Sequence, residues 1–181
     1  MSERNVSSKV NERGFHCLRV PSFHYGSAGL APFESSVVQE LVVRMFVNGQ
    51  QVDTLTCSPW NVEELTYGRL YFDGIINQVS DITDMRIDVD AGLVDVLISD
   101  MMGAAPDSLL REHRVLSYVT PRWIIDNMAR FEANSGLFRR TGGMHGAAIA
   151  DADGFLARFD DVGRHNAMDK LVGWCLKNRV D

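Results

Sequence analysis

Two short blocks of this chain hold the residue types that do chemistry. The first is Thr141-Gly142-Gly143-Met144-His145, a glycine pair running into a histidine. The second is Asp160-Asp161-Val162-Gly163-Arg164-His165-Asn166-Ala167-Met168-Asp169-Lys170. Apolar packing asks for neither. Consecutive glycines let backbone N–H groups approach a ligand and form an anion-binding concavity; the competing reading is a turn that needs positive φ. Gly163-Arg164-His165 stands at a helix start, where free N–H groups and the helix dipole favour an anion. Arg164 offers a forked donor and His165 a titratable one. The plainer alternatives are an ion pair from Arg164 to Asp160 or Asp161, and a buried capping hydrogen bond for His165. Lys170, four residues after Asn166, either reaches a phosphate or stands as a solvated surface lysine. Asp169 either fixes His165 by a hydrogen bond or complements the helix N-terminus. Arg139-Arg140 adds positive charge ahead of the glycines. The candidate site is thus Thr141, Gly142, Gly143, His145, Gly163, Arg164, His165, Asn166, Asp169 and Lys170, a cradle for a small anionic group.

Both blocks border one hairpin. Gly146 to Ala150 and Phe155 to Phe159 flank Asp153-Gly154, so the two polar loops fall at one end of a sheet. The last helix runs from about Arg164 to Lys177, with Met168, Leu171, Val172, Cys175 and Leu176 as its apolar stripe. Ahead of the glycine pair, Thr120 caps a helix that Pro121 opens. Ile124, Ile125, Met128 and Phe131 form its apolar face, and Gly136 is its natural stop. Further upstream, Val37 to Val47 and Val52 to Cys57 flank Asn48-Gly49, a strong hairpin signal. Asn61 with Glu64 reads as a capping box for a helix to about Phe72, which Gly74 ends. A second hairpin joins Met85 to Val89 with Leu93 to Ser99 through Asp90-Ala91-Gly92. A short helix over Asp107 to Glu112 and a strand over Arg114 to Val119 complete the series. Residues 1–32 lack periodicity and read as a poorly ordered arm or an extended edge, leaving residues 33–181 as a single α/β domain.

Composition excludes several classes. With 181 residues, 45% of them apolar and 23% charged, the chain is an ordinary globular domain. Its 24 acidic against 18 basic residues give a net charge of −6, the wrong sign for a general nucleic-acid binder. An anionic ligand must therefore be held by a local cation cluster. No apolar run is long enough to span a bilayer, and Met1 to Val10 is too polar for a signal peptide, so the expected location is cytoplasmic. Cys17, Cys57 and Cys175 form no CxxC pair, and a bound metal is not expected. Nothing adjacent to Cys57 in sequence would lower its pKa, and Cys175 lies on an apolar stripe.

Taken together, the two blocks resemble the formate dehydrogenase accessory protein family (FdhD). The resemblance rests on Thr141-Gly142-Gly143-Met144-His145-Gly146-Ala147-Ala148 and on Asp161-Val162-Gly163-Arg164-His165-Asn166-Ala167-Met168-Asp169-Lys170-Leu171. In the first half it rests on Val47-Asn48-Gly49, Ser58-Pro59, Glu64-Leu65, Gly68 and Gly74-Ile75-Ile76. It covers about residues 34–176. It implies a cytidine-deaminase-like α/β fold: a mixed sheet with flanking helices, preceded by a part rich in β-hairpins. It also implies a role in maturing formate dehydrogenase. Persulfide sulfur would pass from a cysteine desulfurase to the molybdopterin guanine dinucleotide cofactor, bound as a substrate, for the formate dehydrogenase apoenzyme. The resemblance leaves room for a homodimer.

Two departures from the family pattern bear on this. The family's sulfur-carrying Cys-Gly-x-Cys-Gly loop follows a stretch resembling Arg114-Val115-Leu116-Ser117, but here Ser117 runs directly into Tyr118-Val119-Thr120. No cysteine lies between Cys57 and Cys175, so the catalytic thiol is not identified. The family's C-terminal section has no counterpart after Asp181. The expectations are a sulfurtransferase whose loop and tail lie outside this chain, or a non-catalytic cofactor-binding chaperone. A nucleotide-binding regulatory domain is a third reading. Zinc-deaminase chemistry is not expected, because His145 is followed by Gly146-Ala147 and the Pro-Cys-x-x-Cys element is missing.

Overall fold

The computed structural model describes residues 17–99 and 119–180. Its centre is a mixed four-stranded sheet of β3 (Leu41–Val47), β4 (Gln50–Cys57), β5 (Ile82–Asp88) and β6 (Leu93–Ile98), in the order β4-β3-β6-β5. β3 pairs antiparallel with β4 and parallel with β6. The β3–β4 turn is Asn48-Gly49, both at positive φ (49° and 79°), as the hairpin signal required. Asn48 does more than turn the chain. Its side chain accepts from the Ile98 N–H at 3.0 Å and donates to the Ile98 carbonyl at 3.2 Å, fastening the end of β6.

Alternation along β3 buries Val43, Met45 and Val47 while leaving Val42 and Arg44 exposed. Those residues, with Val94 and Val96 of β6, pack on Leu65 and Leu70 of helix α1 (Val62–Phe72) and on Ile76. Asn61 precedes α1 in the left-handed conformation (φ 55°) and makes no side-chain cap, so the expected capping box is not formed. Gly74 (φ 70°) terminates the segment as expected.

The second packing unit is the hairpin of β7 (His145–Asp151) and β8 (Gly154–Asp161), covered by α4 (Arg164–Asn178). Ala147, Phe159, Ala167 and Leu171 form its core. The expected stripe on α4 is corrected in one respect: Met168 is exposed, while Asp169, Lys170 and Gly173 are buried. The reason is that α4 packs on two sides, against the hairpin and against α1, so a single apolar stripe does not describe it. Where α1 and α4 cross, a Cβ on Gly68 would collide with the Asp169 carbonyl, and one on Gly173 with the Glu64 carbonyl. The helices approach this closely because both positions are glycine.

Residues 17–32 take the extended form of the two expected for the N-terminal stretch. β1 (Cys17–Gly26) and β2 (Gly29–Val38) make a separate antiparallel ribbon, and residues 39–40 interrupt the strand, so the run expected over Val37 to Val47 is two strands. Helix α2 (Pro121–Ala133) is capped by Thr120, whose hydroxyl accepts from the Trp123 N–H at 3.1 Å. Its expected face is corrected: Ile124, Ile125 and Met128 are exposed, and Trp123, Asn127 and Phe131 are the half-buried residues. Gly136 does not stop α2, which ends at Asn134; it opens the short α3 (Gly136–Thr141). The helix expected over Asp107 to Glu112 and residues 114–118 of the expected strand lie outside the described residues.

Candidate functional site

Register decides which face each residue of the β7–β8 hairpin presents. His145 pairs with Asp161 and Ala147 with Phe159, so these positions share the face that α4 covers. Gly146 and Asp160, with Arg158, face the opposite way, toward α2. There Arg158 donates to the Phe131 carbonyl (2.6 Å), to Ser135 Oγ (3.0 Å) and to Asp160 Oδ1 (2.8 Å), and stacks 4.2 Å from the Phe131 ring centroid. Gly146 leaves the room this cluster needs. An arginine two residues before Asp160 on the same strand was the available signal for this network.

The α4 face is organised around Asp161, which is completely buried. Its carboxylate accepts from the Ser58 N–H (2.9 Å), the Gly163 N–H (2.8 Å), Asn166 Nδ2 (3.0 Å) and Lys170 Nζ (2.5 Å). Ser58 returns the contact by accepting from the Val162 N–H through Oγ at 3.1 Å, and Asn166 also donates to the Thr56 carbonyl at 2.7 Å. Trp60 Nε1 donates to the Asp160 carbonyl at 3.1 Å. The end of β4, the entry to α1, the end of β8 and the first turn of α4 are thereby held as one piece. Sequence reasoning missed Ser58 and Asp161 as its centre. An acid two residues before the helix-opening glycine was a signal for Asp161; Ser58 entered only through the Ser58-Pro59 pair of the family resemblance, with no role attached.

Several expectations for the site residues are corrected by this network. Lys170 is neither a phosphate ligand nor a surface lysine: it is fully buried against Asp161, with its Nζ 5.6 Å from the Trp60 ring centroid. Burial pulls its pKa down, and the Asp161 carboxylate opposes that. Arg164 forms no ion pair among the described residues, because Arg158 takes Asp160 and Lys170 takes Asp161. His165 is exposed and not a buried cap. The glycine amides are not free donors. The Gly142 N–H (φ 68°) closes α3 on the Phe138 carbonyl at 2.7 Å, and the Gly143 N–H lies 3.4 Å from Thr141 Oγ1. Asp161 also takes up part of the positive end of α4 through Gly163. What stays open to a ligand is the exposed rim of His145, Arg164 and His165, with Arg139 and Arg140 close in sequence to His145.

Asp169 does not hydrogen-bond His165. It is 5% exposed, turned into the α1–α4 crossing, and its Oδ2 has no hydrogen-bond partner. Burial pushes its pKa up from 3.8 to about 6, against the pull of Arg69.

All three cysteines are among the described residues. Cys57 is fully buried at the end of β4. It does have a cationic neighbour, Lys170, which sequence adjacency hid, yet burial dominates and pushes the thiol up to about 12. Burial also raises the half-buried Cys175, and Cys17 starts β1 in the outlying ribbon. Among the described residues no cluster of His, Cys, Asp or Glu could hold a metal ion, and no helix is long and apolar enough to cross a membrane.

Residues 38–181 match the profile of the FdhD/NarQ family. The chain belongs to this family. Relatives include the sulfur carrier protein FdhD of Staphylococcus haemolyticus (strain JCSC1435), 31% identical over 179 residues that take in 86% of this chain and 68% of the relative. The sulfur carrier protein FdhD of Staphylococcus aureus (strain Newman) is 29% identical over 186 residues, 90% of this chain and 70% of the relative. Both alignments are longer than the part of this chain they contain, so family members carry internal residues that have no counterpart here. The fold is that of a crystal structure assigned as a formate dehydrogenase accessory protein from Desulfotalea psychrophila (TM-score 0.73, 22% identity, 91% of this chain and 71% of that one).

Proposed function

We propose that this chain serves formate dehydrogenase maturation by binding the molybdopterin guanine dinucleotide cofactor and handing it to the apoenzyme, without carrying sulfur on its own thiols. The observation that carries the reading is the rim at one end of the β7–β8 hairpin. His145 and the Arg164-His165 start of α4 lie on one side of the sheet, unpaired among the described residues and backed by the rigid Asp161–Lys170 node. An acidic protein that leaves the Arg164 guanidinium free of ion pairs among the described residues has the means to hold a phosphate-bearing ligand locally. Arg164 supplies a forked donor to a phosphate, and His145 and His165 supply hydrogen bonds or charge.

A second reading, persulfide transfer from a cysteine desulfurase, is favoured by the name of the relatives. It requires an accessible thiolate. Cys57 and Cys175 do not fit, since burial raises both, which leaves Cys17 in the β1–β2 ribbon.

Calorimetric titration with GDP tests the binding site. Arg164→Ala should weaken binding by about 1.5–3 kcal/mol while the protein stays folded. Unchanged affinity would remove Arg164 from the site. Labelled sulfur offered through a cysteine desulfurase separates the two readings: no label on any cysteine is expected, and stoichiometric persulfide on Cys17 would establish transfer instead.

A further inference from the structure

Asp169 stands out from the rest of the protein. It is buried on α4 four residues after His165, and one carboxylate oxygen has no hydrogen-bond partner. The groups that face it are Arg69 and Asp73 from α1 and its C-terminal end, Asp53 from β4, and His165 from its own helix. Arg69 Nε lies 2.8 Å from Asp53 Oδ2 and 3.2 Å from Asp73 Oδ2. The 2.8 Å contact is short but not aligned as a hydrogen bond, so Arg69 Nε and Asp53 Oδ2 are buried without such a partner as well. Arg69 thus ion-pairs with Asp53 and Asp73, and Asp169 feels the guanidinium only at longer range. Asp169 cannot back away, because its backbone carbonyl abuts Gly68 where α1 and α4 touch. The arrangement is short of protons and has a route for charge to the rim, since His165 sits one helical turn nearer the open N-terminus on the same face.

We propose that Asp169 is a positioning residue that couples anion binding at the His165–Arg164 rim to uptake of one proton from solvent. The proposal rests on the cofactor-binding reading of that rim. When a phosphate docks beside His165, its negative charge offsets the imidazole's favourable influence on the Asp169 carboxylate. The carboxylate then takes a proton from water onto the unpartnered oxygen. No bond other than O–H forms, and the phosphate is unchanged. With Asp169 neutral, one negative charge is removed from the vicinity of Asp53 and Asp73, and the docked phosphate is no longer repelled by it. Acidic conditions therefore favour the loaded form and neutral conditions favour release.

The test is GDP titration of the full chain by calorimetry, in pairs of buffers with different ionisation heats, between pH 5.5 and 7.5. Titration of the GDP phosphate is common to wild type and Asp169→Asn, so the difference between them reports the Asp169 carboxyl. Wild type should take up about 0.3–0.5 proton more than the variant near pH 6. Its affinity should rise about threefold more than the variant's as the pH falls. Asp73→Asn, remote from the rim, should move the wild-type midpoint to lower pH, because Asp73 helps raise Asp169. Binding with identical proton uptake in wild type and Asp169→Asn, or an unmoved midpoint in Asp73→Asn, would overturn the coupling while leaving the binding site intact. No binding of GDP by wild type would overturn both.

Discussion

Two charge clusters lie on either side of α4, one fully buried and one that buries only Asp169, and they are built on opposite principles. At the Asp161 node four donors meet one carboxylate, and the lysine is as deeply buried as the acid. Near Asp169 one arginine pairs with two other acids, Asp53 and Asp73, and three buried polar atoms lack hydrogen bonds. A buried charge with all its partners fixes geometry; one without them keeps a strong appetite for protons. The first cluster therefore reads as scaffold for the rim, and the second as the part of the scaffold that responds to its surroundings.

Breaking the satisfied cluster should have the largest effect. Lys170→Met leaves Asp161 buried with only neutral donors, and urea unfolding at pH 7 should show a loss of about 3–5 kcal/mol. A loss under 1 kcal/mol would mean that the backbone amides alone support the carboxylate, and the contrast between the clusters would fail.

The next largest effect comes from the seam that joins them. Gly68→Ala forces a methyl against the Asp169 carbonyl, and the helices must separate. A cost of about 1–3 kcal/mol is expected in thermal or urea unfolding. Water admitted at the crossing should also bring Asp169 down from about 6 toward its ordinary value of 3.8, as a carboxyl NMR titration would record. A destabilised variant with an unmoved titration would place the source of the shift in Asp53 and Asp73, not in burial.

The smallest effect is the stability change on removing the unsatisfied acid. Asp169 binds its proton more tightly folded than unfolded, so its contribution to stability is fully present below pH 3.8 and is lost as pH rises to about 6. Above that, the ionised group is a net cost. Asp169→Asn should consequently flatten this part of the stability–pH curve and stabilise the protein at pH 7.5 by about 1 kcal/mol, after allowance for screening. Unfolding curves at pH 5 and 7.5 that shift in parallel for both proteins would remove Asp169 from the response.

Much of the fold was legible because it depends on local rules. Asn48-Gly49 and Asp153-Gly154 marked hairpins, Thr120-Pro121 marked a helix start, and Gly74 a helix end, each through backbone conformations that few residues adopt. The apolar faces were less legible. Ile124, Ile125 and Met128 have helical spacing, yet the hairpin offers α2 an arginine and a glycine gap, so Phe131 docks and the others stay exposed. Spacing shows that a face exists, not which neighbour covers it.

The candidate site divides the same way. Residue types and their order determined that Arg164 and His165 open a helix beside the strand that starts at His145, and that no cysteine lies between Cys57 and Cys175. Tertiary structure alone decided that Lys170 belongs to Asp161 and not to a ligand, that Cys57 lies beside a lysine yet remains a poor thiolate, and that Asp169 is stranded between two helices. The physical reason is that backbone conformation is set within a few residues, whereas charge pairing and desolvation depend on segments a hundred positions apart, such as Ser58 and Asp161.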